Sequence, residues 1–291
     1  MMRDFFSKNT SLATILAAVF VLTFLAWGNP VSAALPFGSP RSSEIDSELN
    51  QLYIIDDANE RLLVLDPDTL QTLQELALPS RPTSITLYES THEVFVNSLF
   101  GGDMVVFDGD EIGRKKIGDG KPKYHITNLG SPLFVKIVPA LNGFFIFDVK
   151  NSQIYLYDLG TKELRNTIFF REEIDDWAFD AELNKLYVSS IHRPLLYRVT
   201  FPAGATPVVT RLVPSDVVYQ LGIDSKRHIL LANTFTDQTI VWDTAKDVEL
   251  KKVDAGLTAI SFPACSEKIG KCYAPNFWGH AVTVFDTSKK Q

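Results

Sequence analysis

Signatures of chemistry are scarce in this 291-residue chain. It has no Gly-x-Ser-x-Gly elbow for a nucleophilic serine. It has no Gly-rich phosphate loop, no His-Glu-x-x-His and no spaced Asp-x-Asp-x-Asp-Gly calcium loop. Cys-x-x-Cys-His is missing as well, which excludes covalent haem attachment. Basic charge is in short supply: 28 Lys and Arg against 35 Asp and Glu leave a net −7. Nucleic acid is thereby excluded as a partner, because phosphate binding needs a basic field. Cysteine is limited to Cys265 and Cys272. Helix-period stretches are few, while 20 Phe and 9 Tyr favour strands.

One long apolar run does occur. Leu12 to Trp27 follows Arg3 and Lys8, and Gly28, Asn29 and Pro30 break it before Val31-Ser32-Ala33. This is the layout of a secretory signal peptide with a small-residue cleavage site. The run is shorter than the ~20 residues of a membrane span, although an uncleaved anchor is the alternative. Residues 1–33 are therefore expected to be a signal peptide and 34–291 a single domain. Removing the signal takes away Arg3, Lys8 and Asp4, leaving 26 basic and 34 acidic residues and a net −8. The expected location is secreted or periplasmic, with no membrane span after signal removal. In such an oxidising compartment Cys265 and Cys272, flanking a short hairpin, are suited to a disulfide. The alternatives are two buried thiols or a metal site, the latter poorly served by two Cys without nearby His.

A repeat organises the rest. β-rich runs ending in Asp or Thr recur at Leu63–Asp66, Val105–Asp108, Tyr155–Asp158, Tyr197–Thr200, Ile240–Asp243 and Thr283–Asp286, at intervals of 42, 50, 42, 43 and 43. A second run precedes each one: Tyr53–Asp56, Val94–Asn97, Phe145–Asp148, Leu186–Ser189, Leu230–Asn233 and Tyr273–Asn276. These close in Asp, Asn or Ser, which bond nearby amides and start turns, so each pair reads as a hairpin. The remainder of each unit, such as Thr69–Leu78 and Ser84–Leu87, holds two more strands. So small a sheet cannot bury both faces alone, and stacking copies in a ring buries them. The expected fold is all-β: a six-bladed β-propeller of four-stranded antiparallel blades, its ring closed by the N-terminal strand. Too few residues follow the last copy for a fourth strand, and Ala34–Pro40 is the segment expected to supply it.

The run Leu52–Asn97 resembles the YVTN family of propeller repeats, through "VFVN", "VLDPDT" and "SRPTSI". "ILLAN…TIVWDTA" and "YAPN…VTVFDTS" resemble it again near the C-terminus. The third and fourth copies diverge, with Thr200 in place of the Asp. The resemblance implies an exported or surface propeller, similar in fold to quinoprotein amine dehydrogenase β-chains, and implies little about chemistry. Trp242-Asp243 suggests a tryptophan–aspartate repeat, but the only Gly-His pair, Gly279-His280, belongs to another copy, which rejects that assignment.

In a propeller, the loops joining second to third strands share one face with those entering each first strand. The residues there that a turn does not require are Phe100, His192, Arg193, Phe235, Phe277, Trp278 and His280. Trp177 and His125 are further candidates, the latter in an insertion over Ile117–Ser131 expected on the same face. Either these side chains cap the core between blades or they form a ring for a ligand. Glu172, Glu173, Asp175 and Asp176 raise the alternative of a hard-cation site. His92 and His228 read as solvated surface. The function expected is a binding or scaffold module for an unidentified small molecule or protein. It is taken as a monomer with no catalytic residue and no cofactor; a metal-dependent, lactonase-like hydrolase is the alternative.

Overall fold

The computed structural model describes residues 37–113, 120–190, 192–254, 262–276 and 281–289. The expected signal peptide lies outside them. They form six antiparallel sheets, each taking its strands in chain order. Sheet I holds β1 (Pro40–Asp46), β2 (Gln51–Asp56), β3 (Arg61–Leu65) and β4 (Thr72–Ala77). Sheet II holds β5 (Ser84–Tyr88), β6 (Glu93–Ser98), β7 (Asp103–Asp108) and β8 (Tyr124–Ile126). Sheet III holds β9 (Pro132–Val138), β10 (Gly143–Asp148), β11 (Gln153–Asp158) and β12 (Leu164–Phe169). Sheet IV holds β13 (Trp177–Asp180), β14 (Lys185–Ser190), β15 (Leu195–Thr200) and β16 (Val208–Leu212). Sheet V holds β17 (Val218–Asp224), β18 (Ile229–Thr234), β19 (Gln238–Asp243) and β20 (Val248–Asp254). Sheet VI holds β21 (Ala264–Ser266), β22 (Lys271–Asn276) and β23 (Ala281–Asp286). The recurring runs of the sequence are the second and third strands throughout, and the arrangement is of propeller type.

Alternation explains why the sheets stack. Successive side chains of a strand point to opposite faces. In β10, Phe145 and Phe147 join a core with Trp177, Phe179, Leu186 and Val188 of sheet IV. Phe144 and Ile146, the intervening residues, join another with Phe95, Met104 and Val106 of sheet II. All four β10 side chains are 0% exposed, so sheet III survives only with a neighbour on each side. Sheets I and II share Tyr53, Ile55, Leu62, Val64, Val94, Val96 and Phe107. Sheets IV and V share Tyr187, Leu196, Leu230 and Trp242. Sheets V and VI share a smaller core, in which Cys272 packs on Ile229, Leu231 and Val241.

A polar stitch runs along one end of the stack. The last residue of the first strand is Asp in sheets I, IV and V, and each is fully buried. One carboxylate oxygen caps the following turn, as Asp46 Oδ1 does for the amides of Glu48 and Leu49. The other reaches the next sheet: Asp46 to His92 Nδ1 at 2.7 Å, Asp180 to Thr244 Oγ1 at 2.6 Å, and Asp224 to Thr287 Oγ1 at 2.6 Å. His228 Nδ1 adds to Asp180 at 3.4 Å. His92 and His228 are thus not solvated surface but part of the seams between sheets. Both have positive φ, 54° and 57°. The first turns of sheets I, III and IV close on Asn50, Asn142 and Asn184, also at positive φ, and that of sheet VI on Gly270. The repeated Asp at the end of the third strand has the local role expected of it, as Asp158 Oδ1 accepts from the amides of Gly160 and Thr161.

Three expectations need correcting. Among the described residues sheet VI has three strands, not four. The described part of Ala34–Pro40 does not pair there: Gly38 and Ser39 donate to the Asp56 carboxylate, and Pro40 opens β1 against β2. Val282 and Val284 on β23 are accordingly exposed, at 57% and 52%. The insertion of the second unit precedes the fourth strand. It lies within residues 109–123, where the other sheets use the shorter 66–71, 159–163, 201–207 and 244–247. Its residues 114–119 lie outside the described set. The Cys pair does form a disulfide, between directly paired positions of β21 and β22 with Cα atoms 4.0 Å apart. Such bonds persist in oxidising compartments. Among the described residues no helix is long and apolar enough to cross a membrane.

Sheets II and III are also joined by a buried ion pair. Lys162 Nζ lies 2.8 Å from Glu93 Oε2, bonds the Leu159 carbonyl and sits over the rings of Phe95 and Tyr124. Removing one partner strands a buried charge, which costs about 3–5 kcal/mol. Glu93→Ala is therefore expected to lower the urea unfolding free energy by that much, and Glu93→Leu with Lys162→Met to recover most of it. A single variant within error of the parent would contradict the assignment.

Candidate functional site

In each sheet the start of the first strand and the turn from second to third lie at the same end. Contacts between sheets show that these ends coincide. Ser84 Oγ and Thr86 Oγ1 of β5 donate to the carbonyls of Leu133 and Val135 in β9, in parallel step. Asp57, after β2, is bridged at 2.9 Å by Arg81, just before β5. Phe147, near the end of β10, stacks on Trp177, the first residue of β13, with centroids 6.5 Å apart. One common rim therefore runs along sheets I to V.

Four expected residues stand on that rim. Phe100, in the β6–β7 turn, is 73% exposed. Phe235, in the β18–β19 turn, is 53% exposed and stacks on Tyr219 at 4.3 Å. His192 and Arg193 lie in the β14–β15 turn, with His192 Nε2 2.8 Å from Glu173 Oε2. Trp177 is also at this end, but it is buried and belongs to the core, with Phe145 edge-on at 5.8 Å. His125 lies toward the same end but in the outermost strand β8, where it bonds Asp103 Oδ2 at 2.8 Å and so serves sheet II. Phe277, Trp278 and His280 lie outside the described residues.

The acidic segment before β13 does not converge. Glu172 takes bonds from the Tyr197 hydroxyl and from Arg211, and Glu173 from His192. Asp176 turns inward, where its Oδ2 accepts from the Leu221 amide at 2.8 Å. Asp175 is half-buried, and among the described residues its carboxylate accepts no hydrogen bond. Burial, then the charge of Glu173, pushes its pKa up. No group of three or more His, Cys, Asp or Glu among the described residues is placed to hold a metal. A hard cation therefore finds no cage in this segment.

Lys136, in β9, went unnoticed in the sequence. Side chains 134 and 138 of its strand join the core with sheet IV, so alternation points Lys136 the same way. Its ammonium lies 5.6 Å from the Trp177 ring centroid. Water reaches the side chain, yet protein surrounds it closely enough that desolvation lowers its pKa against the pull of Asp176. No local pattern marks a single Lys inside an apolar strand as special, which is why it was missed. Lys136, Trp177 and Asp176 thus form a small constellation beside the aromatic pair Tyr219 and Phe235. Tyr219 in turn senses the charge of Asp175, and burial first, then that charge, pushes its pKa up to about 12.

No protein-family model matches the chain, and no curated protein sequence matches it. Among solved structures, a chain of Kuenenia stuttgartiensis hydrazine synthase is similar at 14% identity, covering 89% of this chain and 98% of that one, with a TM-score of 0.44. At that score the likeness carries no argument, and the fold follows from the sheets themselves.

Asp176 offers a test by pH. Burial above all raises its pKa from 3.8 to about 6. The folded chain therefore holds a proton that the unfolded chain has lost, and stability falls as pH rises from about 4 to about 6. Above that window the cost is complete, on the order of 2–3 kcal/mol. Asp176→Asn keeps an acceptor for Leu221. It is expected to raise the urea midpoint at neutral pH and to flatten the slope across this window. An unchanged slope would show that Asp176 ionises freely in the folded state.

Proposed function

We propose that this chain is an exported, YVTN-like six-bladed propeller that works by binding, taking a small molecule or a peptide at the rim of its second-to-third turns. One observation carries the reading. Phe100 and Phe235 stand exposed at the same end of the stack, where folding requires neither of them, and Phe235 rests on Tyr219 next to the unpartnered carboxylate of Asp175. Aromatic anchors beside a few polar groups are what recognition sites are made of.

A closed ring would gather this rim around one opening. Closure is supported by Leu63 and Leu65. Leu62 and Val64 face sheet II, so alternation turns Leu63 and Leu65 to the other face of sheet I. They are nonetheless 3% and 0% exposed, and sheet VI is the element that would cover them in a ring. Export is supported by the disulfide. The hydrolase alternative finds Glu172, Glu173 and Asp176 bonded to separate partners, which leaves Asp175 alone.

Selection of peptides from a random library on the full-length, oxidised protein tests the reading. Binders are expected to lose about tenfold or more in affinity to Phe100→Ala or Phe235→Ala, with circular dichroism unchanged. Several independent binders indifferent to both substitutions would place recognition elsewhere.

A further inference from the structure

A cleft of about 820 Å³ opens between sheets III and IV. It lies at the end of the stack opposite the rim, where first strands lead into second and third into fourth. Its walls are the β9–β10 turn, the start of β12 and the connection 201–207. The volume falls within the range of about 300–1,000 Å³ typical of small-molecule sites.

The chemistry of the walls is specific. Arg165 lines the cleft, and its Nη1 donates to the carbonyl of Leu141 at 2.7 Å, which fixes the guanidinium at the wall. Among the described residues no carboxylate lies within ion-pair distance of it. Asp158 senses its charge but spends its oxygens on the amides of Gly160 and Thr161 and on Asn142. A fixed guanidinium with unused N–H groups is a carboxylate receptor. Around it stand the side-chain amides of Asn142, Asn166 and Asn184. Asn184 Oδ1 is buried without a hydrogen-bond partner among the described residues, so the group that Asn184 offers a ligand is its Nδ2 donor. Phe201, backed by Phe145 and Phe179, gives one wall an apolar face, together with flanking prolines.

One cation, several neutral amides and an apolar wall match a ligand with one carboxylate, several hydroxyls and a flat C–H face. We propose that this cleft binds a carboxylated saccharide of the uronate class, its carboxylate on Arg165, its hydroxyls on Asn166 and Asn184, and its ring against Phe201. The net charge of −7 opposes anions at long range, so recognition rests on contact rather than on steering. The site is independent of the rim.

Titration of the full-length protein with digalacturonate, followed by calorimetry, tests this, with its methyl diester as the neutral control. Saturable binding of the acid is expected, weaker by about tenfold for the diester and for Arg165→Gln, the loss of one charge-assisted contact. Because Arg165 also braces the β9–β10 turn, Asn166→Asp provides a second test. It puts a carboxylate into the cleft without removing that brace, and is expected to repel the acid but not the diester. No binding of the acid at millimolar concentration, equal binding of acid and diester, or indifference to both substitutions would overturn the proposal.

Discussion

A four-stranded sheet with two apolar faces cannot stand alone, and the rest of this structure follows from that constraint. Sheet III states it most clearly. Its second strand buries Phe145 and Phe147 on one side and Phe144 and Ile146 on the other, with none of the four exposed. A neighbour is therefore required on each side, and each neighbour brings the same need. The rim, the opposite cleft and the seam of Asp side chains are all consequences of sheets forced to stack in register. Because strands of adjacent sheets run in the same direction, their turns gather at two ends, and residues far apart in sequence come within reach of one ligand.

The two ends are used differently. At one, Asp46, Asp180 and Asp224 tie sheet I to II, IV to V and V to VI through His92, Thr244 and Thr287, and polar groups are spent on holding the stack together. At the other, Phe100 and Phe235 are left outside any core, and Lys136 lies over the Trp177 ring with no ion pair among the described residues. The exception at the first end is the gap between sheets III and IV. There the connection 201–207 and the neutral amides leave Arg165 without a counter-ion among the described residues.

The architecture was legible because the hairpins of second and third strands carry it. Their apolar runs and closing Asp or Asn repeat at nearly constant spacing, and the structure places every one of them on those strands. The fourth strands were harder. They are short and half-exposed, as in Tyr124–Ile126, and so weak a pattern let the insertion of the second unit be placed after β8 instead of before it. The seam was illegible for another reason. Asp46 and His92 lie in different units, and nothing local to either shows that the two meet. Of the expected site, Phe100, His192, Arg193 and Phe235 reach the rim because turn position alone decides that. Trp177 is drawn into the core by Phe145 and Phe147, and His125 is taken by Asp103. These are tertiary outcomes that spacing does not encode.

The arrangement of the six sheets around one axis is the claim on which the gathering of the rim around one opening depends. Distances between spin labels carried on unnatural amino acids at Thr72 of sheet I, Val209 of sheet IV and Ser288, just after β23 of sheet VI, measure it directly. A closed ring makes sheet VI a neighbour of sheet I, so the Thr72–Ser288 distance comes out shorter than Thr72–Val209. An open stack puts sheet VI farthest away, and a Thr72–Ser288 distance longer than Thr72–Val209 would contradict the account.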